Sequence, residues 1–157
     1  MTTKIERVFI PGLEGKLEAV LEWELANSTS FVSLVCHPHP QYGGTMHNKV
    51  VFRAAKASIL EGLPTLRFNF RGVGQSAGRF GGGVGEKEDV RAALDFLQHR
   101  FPGSPVCLMG FSFGSWVGLS VGGGDPRVVA LVGLGVPIAS VNMESLLEVT
   151  KPKYSGS

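Results

Sequence analysis

At 157 residues, 43% hydrophobic and 18% charged, the chain is long enough to bury one globular core and too apolar for a disordered segment. Its net charge of +2 comes from scattered basic residues with no basic stripe interleaved by aromatics, which argues against a nucleic-acid partner. No apolar run approaches the ~18 residues of a membrane span, and the N-terminus lacks the apolar core of a signal peptide. The two cysteines, Cys36 and Cys107, lie in strand-like apolar runs as small fillers, with no disulfide framework. A cytoplasmic protein with no membrane partner is expected.

In chain order, the first forty residues read as strands. Arg7-Val8-Phe9-Ile10 and the alternating Leu17, Ala19, Leu21, Trp23 run are joined by the Pro11–Gly15 turn as an antiparallel pair, the second strand keeping one wet face. Phe31 to Cys36 is almost continuously apolar, as in a strand covered on both faces. Asn48 then caps a helix to about Glu61, with Val51, Ala55 and Ile59 inward and Gly62 and Pro64 as the stop. Thr65 to Phe70 is the next strand. Glu86 to Arg100 is a helix whose inward stripe is Val90, Ala93, Leu94 and Leu97. Its first turn is acidic (Glu86, Glu88, Asp89) and its last basic, which suits the helix dipole. An apolar strand from Val106, a short helix from Ser115, a glycine break at 122–124 and a strand from Val128 to Leu134 follow. Met143 to Val149 reads as a short helix. Strands alternating with helices imply an α/β domain with a mostly parallel sheet and helices on both faces.

Gly110-Phe111-Ser112-Phe113-Gly114 sits between the apolar strand and the apolar helix. G-x-S-x-G in a strand–turn–helix setting is a nucleophile elbow. The turn is too sharp for a side chain at either flanking position, and the serine hydroxyl is pushed clear of the sheet. The helix N-terminus offers N–H groups to a developing negative charge.

Two further stretches carry a resemblance. His37-Pro38-His39-Pro40-Gln41-Tyr42-Gly43-Gly44-Thr45-Met46-His47-Asn48 resembles the loop after the third strand of small, lidless α/β-hydrolases of the dienelactone-hydrolase-like group. Arg67-Phe68-Asn69-Phe70-Arg71-Gly72-Val73-Gly74-Gln75-Ser76-Ala77-Gly78 resembles the loop after their fourth strand, and the elbow completes the set in order and spacing. The resemblance implies a single α/β-hydrolase domain over 1–157 that hydrolyses small esters through an acyl-enzyme on Ser112, without a cofactor. It also implies oxyanion-hole N–H groups from Phe113 and His39. Gln41 and Tyr42 are alternative donors and candidate pocket lining, because Pro38 stands where many hydrolases have glycine. Arg71 and Ser76 brace the loop behind the site.

The family's acid follows its seventh strand and its histidine the eighth. Here Lys151-Pro152-Lys153-Tyr154 resembles the start of the seventh strand, and no histidine follows His99. The resemblance therefore implies that the triad acid and base, with the last two strands, are missing from this chain as a C-terminal deficit. It leaves Val128–Leu134 as an unpaired apolar edge, open to a homodimer or a swapped assembly. His37 is expected to bond neighbouring loops and His39 to line the pocket, with His39 the one candidate for a substitute base; no metal set is evident around them. His47 and His99 read as surface residues, and Asp125 as a turn residue at the far end of the sheet. The glycine-rich 72–78 loop has the wrong spacing for a dinucleotide site. Alternative readings are an inactive scaffold that binds a ligand or protein, and a serine peptidase on the same fold.

Overall fold

The computed structural model describes residues 2–26 and 30–135 in full and the backbone of 153–156. Seven strands form one sheet in the order β1-β2-β4-β3-β5-β6-β7. β1 (Thr3–Gly12) and β2 (Gly15–Glu24) are an antiparallel hairpin, and β2 lies antiparallel to β4 (Thr65–Phe68). From β4 onward β3 (Val32–Cys36), β5 (Val106–Phe111), β6 (Val128–Leu134) and β7 (Lys153–Gly156) run parallel.

The helices divide between the two faces, and the strand residues alternate to match. Val32, Leu34 and Cys36 of β3 and Val106 and Leu108 of β5 join the larger core with the inward stripes of α2 (Val84–Arg100) and α3 (Phe113–Gly122). Val35 and Phe111 point the other way and meet Val51 and Ala55 of α1 (Lys49–Leu60). All five residues of β3 are buried, as a doubly covered strand requires. Asn48 caps α1 as expected, its side chain accepting from the N–H groups of Val50 and Val51.

Several expectations change. β6 is not an unpaired edge and the seventh strand is not missing, because Leu131–Leu134 pair in parallel with the strand Lys153–Gly156. The outer face of β2 is not wet throughout: α1 covers Glu22, which is 3% exposed and takes a 2.5 Å ion pair from Lys56. β4 pairs only to Phe68; Asn69 and Phe70 are buried but leave the ladder to begin the next loop. Cys107 is half-buried rather than a core filler, whereas Cys36 is fully buried and its thiol is pushed well up by burial. Val129 shows that β6 too keeps one side partly in solvent. The short helix expected over 143–149 lies outside the described residues.

This topology creates the crevice. The chain leaves β3 through α1 on one face and returns at β4, then crosses through α2 on the other face to β5 on the opposite flank of β3. The loops after β3 and β5 therefore diverge at the carboxyl ends of two neighbouring strands, the place where open α/β sheets bind ligands. Cys36 pairs with Gly110, so the ends of the two strands are level.

Candidate active site

Ser112 occupies the turn between β5 and α3 with φ 49° and ψ −115°, and among the described residues it is the one non-glycine with positive φ. Such a backbone is costly for a residue with a Cβ and persists only where the surroundings enforce it. The surroundings here are explicit. A Cβ on Gly110 would stand 2.4 Å from the carbonyl oxygen of Gly114. One on Gly114 would stand 2.4 Å from the carbonyl oxygens of both Cys36 and His37. The glycines thus let α3 start directly against the ends of β3 and β5, as the motif predicted. Gly118 and Gly122 continue the contact down the helix, where an added Cβ would meet Leu108 and Leu131 at 2.7 Å. The Ser112 N–H donates to the Leu134 carbonyl of β6 at 2.8 Å, and the Ser112 side chain is exposed.

Phe113 is the first residue of α3, and its N–H has no acceptor among the described residues, as at any helix start without a side-chain cap. Its ring is buried against His39 (centroids 4.8 Å apart), Phe70, Phe80 and Trp116. The three predicted sequence regions are therefore packed together: the loop after β3, the loop after β4 and the elbow.

Within the first loop the alternatives for the second donor separate. Gln41 N–H donates to His39 Nδ1 at 3.1 Å, and Tyr42 N–H to the His39 carbonyl at 3.1 Å. Both are committed inside the turn Pro40–Tyr42, so neither backbone is free to donate to a substrate. The N–H of His39 has no acceptor among the described residues. Gln41 and Tyr42 keep exposed side chains, Tyr42 at 85% and with its ring tilted against His39.

None of the four histidines bonds to Ser112. His37 is fully buried, with Nδ1 2.6 Å from the Pro38 carbonyl and Nε2 accepting from Phe70 N–H at 3.0 Å. His39 is half-buried with Nδ1 already an acceptor, so its neutral ring carries its proton on Nε2 and has no free lone pair to act as a base. His47 is exposed and touches Arg67, and His99 is exposed at the end of α2. Asp125 binds Arg127 on the turn before β6, at the end of the sheet away from Ser112. The described residues contain no cluster of three or more His, Cys, Asp or Glu able to hold a metal. No helix among them is long and apolar enough to cross a membrane.

Burial pushes the His37 pKa down from 6.5 to about 4, against the opposing pull of the Pro38 carbonyl. The folded state therefore binds this proton less readily than the unfolded chain. Its contribution to stability is complete above pH 6.5 and is lost as the pH falls through about 4. The pKa difference corresponds to about 3 kcal/mol. Urea midpoints are expected to fall steadily over this window, and to fall less in a His37→Asn variant, whose side chain does not titrate.

The bracing behind the site is more extensive than the sequence suggested. Ser76 Oγ donates to the Asn69 carbonyl at 2.7 Å and accepts from Glu18 N–H at 2.8 Å. Asn69 accepts from Met46 N–H and donates to Glu18 Oε1, tying both loops to β2. Arg71 is clamped by Asp89, which receives its backbone N–H at 2.9 Å and its guanidinium at 2.9–3.2 Å. Glu86 is fully buried and accepts from Gly81 and Gly83 N–H, pinning the segment that carries Phe80. Glu86 and Asp89 were readable as more than dipole partners. Both stand on the inward stripe of α2, at i−4 and i−8 from Val90, Ala93, Leu94 and Leu97, where an acid needs a buried partner.

No family model matches the chain. An uncharacterized protein of Rickettsia prowazekii is 39% identical over 138 residues, covering 87% of this chain, and the chain spans 57% of that protein's length. A Coxiella burnetii structure described as an α/β serine hydrolase homologue superposes with a TM-score of 0.90 at 40% identity, covering 96% of this chain and 72% of that one. The chain belongs to the α/β serine hydrolases. A lidless serine hydrolase of this family from Xanthomonas campestris matches with a TM-score of 0.85 at 32% identity over 99% of this chain and 70% of its own. In this α/β serine hydrolase, Ser112 stands on the elbow at the carboxyl edge of the parallel sheet.

Proposed function

We propose that this chain is a small-ester hydrolase of the lidless, dienelactone-hydrolase-like kind, acting through Ser112. The observation that carries the reading is the elbow: an exposed serine held at φ 49°, next to a helix-start N–H that meets no acceptor among the described residues. Ser112 Oγ attacks the ester carbonyl, and the oxyanion is held by the N–H groups of Phe113 and His39. The proton given up by Ser112 Oγ ends on the leaving alkoxide, which departs as the alcohol; water then adds to the acyl carbon, freeing the acid and returning a proton to Oγ. Preorganised N–H donors supply most of what the chain itself offers to this step.

A serine hydroxyl needs a base to take its proton. Among the described residues the bonding of the four histidines assigns none of them that task. That same observation favours a second reading, a scaffold that binds a small molecule or protein without turnover.

Hydrolysis of 4-nitrophenyl acetate, compared with a peptide anilide, separates these readings. The esterase reading expects release of nitrophenol that depends on Ser112 and vanishes in Ser112→Ala, with the anilide untouched. Equal rates in wild type and Ser112→Ala would leave the scaffold. Faster cleavage of the anilide would assign a peptidase.

A further inference from the structure

The Pro38–His39 peptide bond is trans, so its carbonyl oxygen and its amide hydrogen point in opposite directions. The carbonyl end is fixed inside the protein. It lies 2.6 Å from Nδ1 of His37, whose ring is fully buried. The ring's proton sits on Nδ1, because Nε2 accepts the Phe70 N–H at 3.0 Å and a neutral imidazole has one donor and one acceptor. Gly44 closes the other side, since a Cβ there would stand 2.1 Å from the same Pro38 oxygen. With the oxygen turned inward and held, the His39 N–H is turned away from the ring and meets no acceptor among the described residues.

We propose that His37 is a positioning residue for the oxyanion hole: through the Pro38 carbonyl it sets the direction of the His39 N–H. This rests on the reading of His39 as an oxyanion donor. The ring does two jobs with two nitrogens, and only the Nδ1 bond bears on the hole. The Nε2 bond ties the loop after β3 to the one after β4.

Two substitutions separate the jobs. In His37→Asn the side-chain amide reaches where Nδ1 was and can still donate to Pro38. In His37→Gln the longer side chain reaches where Nε2 was and can still accept from Phe70. The amide spectrum of isotope-labelled protein reads the clamp without any turnover. The His39 cross-peak is expected to stay near its wild-type position in the Asn variant and to move in the Gln variant. The Phe70 cross-peak is expected to do the reverse. Ser112-dependent ester hydrolysis should follow the His39 peak, with a loss of about 10²-fold in kcat for the Gln variant, the usual effect of losing one oxyanion donor. KM should change little. A His39 peak that moves in Asn but not in Gln, or that stays put in both, would overturn the proposal. Wild-type ring nitrogen shifts provide a check that needs no variant to fold: protonation on Nδ1 supports the clamp, and protonation on Nε2 overturns it. If wild type shows no Ser112-dependent turnover, the esterase reading fails while the spectra still decide the clamp.

Discussion

Gly114→Ala is expected to destabilise the protein by more than about 4 kcal/mol, beyond the range of ordinary point substitutions. The new methyl would lie 2.4 Å from two carbonyl oxygens, those of Cys36 and His37. Neither can retreat. Cys36 is the last paired residue of β3, level with Gly110, and His37 is fixed by both its ring nitrogens. The only relief is to lift α3 off the sheet, which would uncover Val117 and Val121 and open the contacts of Gly118 and Gly122 with Leu108 and Leu131. Gly124→Ala is the matched control. It sits just past the same helix, has ordinary φ and nothing within 4 Å of the added methyl, so its effect should stay within about 0.5 kcal/mol. Urea denaturation of the two variants beside wild type measures both values. A Gly114→Ala protein as stable as the control would mean that the elbow is not held by the close approach described here.

The sheet, its helices and the elbow were legible in the sequence because each rests on a local signal. Asn48 marks the start of α1, Gly62 and Pro64 its end, and continuous apolarity marks β3. The glycines at 110 and 114 mark a turn whose crowding the structure then measures. What was not legible depends on partners distant in sequence. Glu22 looked like the wet face of β2, because nothing local shows that Lys56 on α1 will cover it. Asp89 looked like a dipole partner, yet it closes on Arg71 eighteen positions away in the chain. For β7, the resemblance had marked residues 151–154 as the start of a strand, but not that so short a stretch would pair with β6. Among the site residues, Ser112, Phe113 and His39 were named from motif and resemblance. The resemblance already pointed to His39 ahead of Gln41 and Tyr42; what the structure adds is that the N–H groups of those two already have acceptors.

The second large effect concerns the serine itself. In the proposed reading Ser112 stands beside an oxyanion hole, and among the described residues no histidine bonds to it to take its proton. An elbow and oxyanion hole without the rest of the triad can still accelerate reaction about 10³- to 10⁴-fold over water. Reaction at Ser112 should therefore be slow but selective, and an external base that can enter the open site should speed it. Imidazole, small and with a large neutral fraction near pH 7, is the base of choice.

The direct test is the intact mass of the chain after incubation with a fluorophosphonate, with and without imidazole, beside Ser112→Ala. A functional elbow gives wild type one probe mass per chain, faster labelling as imidazole is added, and no adduct in Ser112→Ala. A folded wild-type chain that takes up no probe even with imidazole, or a Ser112→Ala chain labelled equally, would contradict a nucleophilic role for Ser112.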